Sequence, residues 1–118
     1  MTKFIGEKVL MRIFTGETKM FGHIPLYEAL VELFRKEGFA GATVLRGVSG
    51  FGAHGAYHTF KLLELSSDLP MVIEVVETQE KIDSIMPKVD EMIQSGMVTL
   101  EKVNVILYTH EHANGIVK

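Results

Sequence analysis

Two stretches carry apolar residues at helical spacing, each lies between strand-like runs, and this repeated order leaves the chain few folds to choose from. The first stripe is Leu26, Leu30, Leu33 and Phe34, with Glu28, Glu32, Arg35 and Lys36 on the other face. Pro25 stands at its start, where a missing N–H costs nothing, and Gly38 is a C-terminal stop. The second stripe is Ile82, Ile85, Met86, Val89, Met92 and Ile93, in a helix expected from a Thr78 N-cap to Ser95, with Gly96 ending it. Pro87 falls inside that stripe and predicts a kink or a break near Asp83, whose carbonyl loses its helical donor.

The flanking runs read as strands. Lys8 to Phe14 alternates at first and is bounded by Gly6 and Gly16. Ala42 to Arg46 is a second strand, and Thr59 to Leu65 a strand extension or hairpin arm. Met71 to Glu77 is the most β-branched run, which suits a central strand, and Val103 to Tyr108 is the last. Thr109 to Lys118 reads as a polar tail. Glu74 and Glu77 are expected as strand-end and surface charges.

The order is therefore β-α-β, loop, β-α-β. Two such halves close into a four-stranded antiparallel sheet with both helices on one face, an α+β, ferredoxin-like β-α-β-β-α-β sandwich. Val9, Met11, Ile13, Val72, Val75, Val105 and Leu107 put apolar side chains on alternating and even adjacent strand positions, so both sheet faces read as apolar. A face with no helix left to cover it predicts self-association.

At 118 residues the chain fits one domain spanning 1–118. A net charge of −3 with interspersed signs gives no steering toward nucleic acid. The apolar runs are too short to span a bilayer and no signal-peptide core is seen, which makes the cytoplasm the expected location. With no cysteine in the chain, disulfides, thiolate metal sites and cysteine nucleophiles are excluded. The seven methionines sit mostly at core spacing, where they fill irregular gaps.

Function is sought in the loop after the second strand, Arg46-Gly47-Val48-Ser49-Gly50-Phe51-Gly52-Ala53-His54-Gly55. Four glycines in nine residues imply backbone that bends freely or must approach something closely. Such a loop cradles a phosphate with its N–H groups, or else serves as a flexible docking loop with no ligand. A dinucleotide fingerprint is not met, because the loop leads to a strand rather than a helix. Ser49 lacks the G-x-S-x-G context of a nucleophile elbow, and no paired carboxylates stand out, so no catalytic residue is assigned and an enzyme is not expected. His54 with His58, and His110 with His112, are conceivable metal pairs, but Gly55 argues against a shared helical face and the second pair opens a tail. They read as solvated histidines, and no metal site is assigned.

The segment Glu37-Gly38-Phe39-Ala40-Gly41-Ala42-Thr43-Val44-Leu45-Arg46-Gly47, followed by Gly50-Phe51-Gly52, resembles the first-helix end, second strand and T-loop entrance of PII signalling proteins. Pro25-Leu26-Tyr27-Glu28-Ala29, His58-Thr59 and Asp68-Leu69-Pro70 look more specifically like the PII-like branch called domain of unknown function 190. The resemblance runs from Gly6 to about Leu107. It implies a homotrimer whose open sheet faces meet centrally, an adenine nucleotide such as ADP or ATP in clefts between subunits, and a T-loop, here about residues 46–61, that docks on a partner such as a membrane transporter or channel or an enzyme. Carried over, Thr43 lies near the base, Arg46 is the cation, and Gly47, Gly50, Phe51 and Gly52 form the loop base. Lys19 and His23 are added as positive charge from the polar segment before the first helix. The departures are equally specific. PII's phosphate-contacting Gly-Asp-Gly-Lys is replaced by Gln94-Ser95-Gly96-Met97-Val98-Thr99, its C-terminal arginine cluster by Tyr108-Thr109-His110-Glu111-His112, and Leu62 stands about where enteric PII carries its uridylylated tyrosine. Two other readings stay open: a CutA-like divalent-metal or metal-tolerance protein, and a ligand-free structural adaptor.

Overall fold

The computed structural model describes residues 4–52, 57–59 and 68–110. Its elements are β1 (Gly6–Gly16), β2 (Met20–Phe21), β3 (Ile24–Pro25), α1 (Leu26–Lys36), β4 (Thr43–Arg46), β5 (Ser49–Phe51), β6 (Tyr57–Thr59), β7 (Pro70–Glu77), α2 (Gln79–Met92) and β8 (Met97–Val105). The main sheet has the order β4-β7-β1-β8, with every neighbouring pair antiparallel. This is the ferredoxin-like arrangement, with the most β-branched run as an inner strand.

Alternation along the strands separates two faces. Val9, Met11 and Ile13 of β1 and Ile73 and Val75 of β7 pack with Leu26, Leu30 and Phe34 of α1 and Ile82, Ile85 and Val89 of α2 in one core. α1 closes in a Schellman motif. Gly38, at φ +77°, donates to the Arg35 carbonyl and Phe39 to the Phe34 carbonyl, while the Phe34 and Phe39 rings meet at 5.0 Å. α2 is capped as expected: the Thr78 hydroxyl accepts from the Lys81 N–H at 3.2 Å.

Several boundaries differ from the sequence reading. α2 runs through Pro87 without a break and stops at Met92 rather than Ser95. Pro87 sits on the exposed side, where water can serve the carbonyl left without a donor. The last strand begins at Met97, six residues earlier than the apolar run suggested, and ends at Val105. Register explains this: Met97, Val98, Thr99 and Leu100 pair with Phe14, Ile13, Arg12 and Met11, so ladder bonds hold a mixed segment that periodicity alone does not mark. There are also two short hairpins: β2-β3, which was not foreseen, and β5-β6, whose second strand includes Thr59, the start of the expected hairpin arm. The second pairs Ser49 with Thr59 and Phe51 with Tyr57, so the base of the glycine loop is ladder rather than open loop. The rest of the expected hairpin arm, 60–65, lies outside the described residues, Leu62 included.

The opposite sheet face is organised in ranks across the strands. Thr43, Glu74, Arg12 and Thr99 stand side by side, and next to them Leu45, Val72, Phe14 and Met97. The first rank is polar in all four strands and the second apolar in all four. Arg12 joins its neighbours, donating from Nε to Glu74 at 2.8 Å and from Nη1 to Glu101 at 3.0 Å. These bonds hold the guanidinium even more firmly protonated than usual. Leu45 and Met97 remain 49% and 55% exposed, so the apolarity foreseen for this face is present and only partly covered.

Candidate functional site

A cleft of about 440 Å³ opens on the uncovered face. Its floor is Leu10, Glu74 and Val76; one wall is the segment 40–43, and the other is made by Phe4, Val105 and Tyr108. The Phe4 and Tyr108 rings are 5.1 Å apart, which joins the two ends of the described chain into one aromatic wall. A flat apolar side opposite a hydroxyl and a carboxylate suits a planar heterocycle with polar edges.

The wall from Ala40 to Thr43 is set by Glu77. This carboxylate is 3% exposed, accepts the Ala40 N–H at 2.8 Å and the Thr78 N–H at 3.0 Å, and lies 3.7 Å from Lys81 Nζ. Lys81 in turn donates to the Gly38 carbonyl at 2.6 Å. The sequence reading placed Glu77 on the surface; instead it is an internal tie between the end of β7 and the chain entering β4. Glu74, also read as a surface charge, is half-buried in the pair with Arg12. A single sequence gives no sign of either, because what draws them inward is the position of N–H and guanidinium donors from distant segments.

Of the candidate ligand-binding residues named from the sequence, Thr43 alone lines this cleft. Arg46 ends the same strand about 10 Å away, paired with Met71 on the helix-covered face, whereas Thr43 pairs with Glu74 on the open one. Arg46 Nε is 3.5 Å from the Glu17 carboxylate. The Gly47 N–H donates to the Pro70 carbonyl at 2.7 Å, and a Cβ on Gly47 would stand 3.3 Å from the Pro70 ring. Gly50 is closer still, with a Cβ position 2.9 Å from Pro70 Cγ. Gly47 and Gly50 are thus small because Pro70 packs against the loop base. Phe51 is 72% exposed, and Gly52 has open space around it. Lys19 donates its backbone N–H to Gly16 and accepts from Leu26, and His23 is exposed at the tip of the β2-β3 hairpin after Gly22. The structure brings together Arg46, Gly47 and Gly50 around Pro70, separately from Thr43. Phe4, Leu10, Val76 and Tyr108 were missed as cleft residues; the strand register, which puts Leu10 and Val76 opposite each other, could have found that pair, whereas Phe4 and Tyr108 lie beyond the strands.

Among the described residues no group of three or more histidines, aspartates and glutamates is placed to hold a metal ion. His54, His112 and the His58 side chain lie outside them. No helix among the described residues is long and apolar enough to cross a membrane.

Residues 8–105 match the DUF190 family, described as an uncharacterized ACR. The chain belongs to the DUF190 family. As a DUF190 protein it is 38% identical to a UPF0166 protein of Aquifex aeolicus over 86% of its own length and 96% of that protein's. It is 31% identical to a UPF0166 protein of Methanocaldococcus jannaschii over 81% and 89%. In structure, the DUF190 chain is similar to CPII of Thiomonas intermedia K12, a nitrogen regulatory PII-like protein bound to ADP, AMP and bicarbonate. The TM-score is 0.57 at 20% identity, over 84% of this chain and 88% of CPII. A second CPII structure, bound to ADP, AMP and acetate, gives a TM-score of 0.53 at 19% identity over 87% and 92%. The fold is therefore PII-like, as the sequence motifs implied.

Proposed function

We propose that this chain is a PII-like regulator, not an enzyme, that assembles as a homotrimer through its open sheet face and binds an adenine nucleotide beside β4. The observation that carries the reading is the cleft at Thr43: it lies on the one sheet face without helices, so a second copy seated on that face would complete its outer wall. The nucleotides bound by CPII, which shares the fold, support the ligand class. Thr43 meets the base, and Arg46 supplies the cation for the phosphates. Gly50, Phe51 and Gly52 carry the loop over them, with Gly47 as the anchor on Pro70 and Lys19 and His23 adding charge from the hairpin. The segment 46–61 transmits the bound state to a partner protein.

Calorimetry with ADP, joined to sedimentation equilibrium, tests this. ADP binding by a trimer is expected, and Arg46→Ala should weaken it about ten-fold to a hundred-fold with the trimer intact, the loss typical of one charge-assisted hydrogen bond. A monomer at micromolar concentration, or no binding of ATP, ADP or AMP at millimolar concentration, overturns the proposal.

A further inference from the structure

Glu17 and Arg46 come from segments separated in sequence and meet because both flank the start of β7. The Glu17 N–H donates to the Leu69 carbonyl at 2.9 Å, and the Gly47 N–H donates to the carbonyl of the next residue, Pro70, at 2.7 Å. Beside them the Thr18 N–H donates to Asp68 Oδ1 at 3.0 Å. Residues 68–70 thus hold the end of β1 and the end of β4 at fixed positions on either side, and the Glu17 carboxylate reaches the Arg46 guanidinium across them. The carboxylate is three-quarters buried while Arg46 is more than half exposed, so the anion is the fixed member and the cation the one able to turn away.

We infer that Glu17 is a specificity-determining residue, a built-in competitor that occupies Arg46 until a ligand with enough negative charge displaces it. This rests on the nucleotide reading above and extends it. A guanidinium that exchanges a carboxylate for a phosphate gains only the difference between the two partners, so weakly charged ligands gain little from Arg46 and multiply charged ones gain more.

The test is ADP and adenosine affinity by calorimetry on the full chain, comparing the unmodified protein with Glu17→Gln, Arg46→Ala and the double variant. A solvent-screened pair of this length, with its cation more than half exposed, is worth up to about 1 kcal/mol, so Glu17→Gln should tighten ADP about two-fold to five-fold. Adenosine affinity should stay unchanged, and in the Arg46→Ala background the gain should vanish. Glu17→Ala provides a second variant, since the backbone N–H that anchors this position is kept in both. If the unmodified protein binds ADP but Glu17→Gln binds it equally or more weakly, the competitor role is overturned while the nucleotide reading stands. Equal tightening of adenosine, or tightening that survives in Arg46→Ala, also overturns it. Failure of the unmodified protein to bind ADP removes both.

Discussion

Replacing Glu77 should cost more than replacing any surface charge, and the size of the loss can be worked out from its surroundings. The carboxylate accepts two backbone N–H groups, from Ala40 and Thr78, while the nearest cation, Lys81, is 3.7 Å away and partly in water. A buried donor left without its acceptor costs about 1–3 kcal/mol, and a solvent-screened ion pair at most about 1 kcal/mol. The two hydrogen bonds therefore dominate. Ala40 is exposed, so water partly rescues its N–H, and the net loss for Glu77→Ala is about 2–4 kcal/mol. At roughly 4 °C per kcal/mol for a chain of this size, thermal midpoints measured at one fixed protein concentration should fall by about 8–16 °C. Glu77→Gln keeps the shape but sets an amide NH₂ against one of the two donors, and should fall about half as far. Lys81→Met removes the ion pair and the exposed hydrogen bond to the Gly38 carbonyl but keeps both N–H bonds to Glu77, and should lower the midpoint by clearly less than Glu77→Ala does. Amide exchange should quicken at Ala40 and Thr78 in Glu77→Ala. A drop under 2 °C in that variant, or a Lys81→Met loss as large as the Glu77→Ala loss, refutes the hydrogen-bond argument.

Gly38→Ala forces a Cβ into left-handed backbone at φ +77° and should cost about 1–2 kcal/mol in denaturant unfolding, although its Cβ would meet only Lys81 Nζ, at an ordinary contact distance of 3.8 Å. Gly41→Ala, with no such φ and nothing near its Cβ position, should be neutral. Glu32 accepts a hydrogen bond from Arg35 at 2.8 Å, and this holds its carboxyl below the usual carboxylate range. Its contribution is thus present above the unfolded-state pKa and is lost as pH falls through the lower folded value. In Arg35→Ala, NMR titration should show the Glu32 midpoint moving up; an unchanged midpoint refutes the pairing.

The elements legible in the sequence were those whose signal is local. The helical stripes, the Thr78 cap, the Gly38 stop and the β-branched β7 run each declare themselves within a few residues. The first half of β8 did not, because Met97 to Lys102 is a strand by virtue of its partner β1. Likewise Thr43 and Arg46 could be named from a motif, but that adjacent strand parity sends them to opposite faces is a property of the sheet. Glu77 was misjudged for the same reason: charge at a strand end reads as surface until the donors that surround it are known.

The rank Thr43, Glu74, Arg12 and Thr99 acts on this face as a tooth does on a rack. Same-face residues recur about every 6.6 Å along a strand, so a surface that slid one step would bring these charges onto Leu45, Val72, Phe14 and Met97. Burying a guanidinium and a carboxylate against apolar groups costs several kcal/mol, whereas sliding between purely apolar ranks would cost little. A surface matched to this face would therefore seat at one setting rather than along a continuum, with the apolar rank supplying the grip and the Arg12–Glu74 rank the indexing.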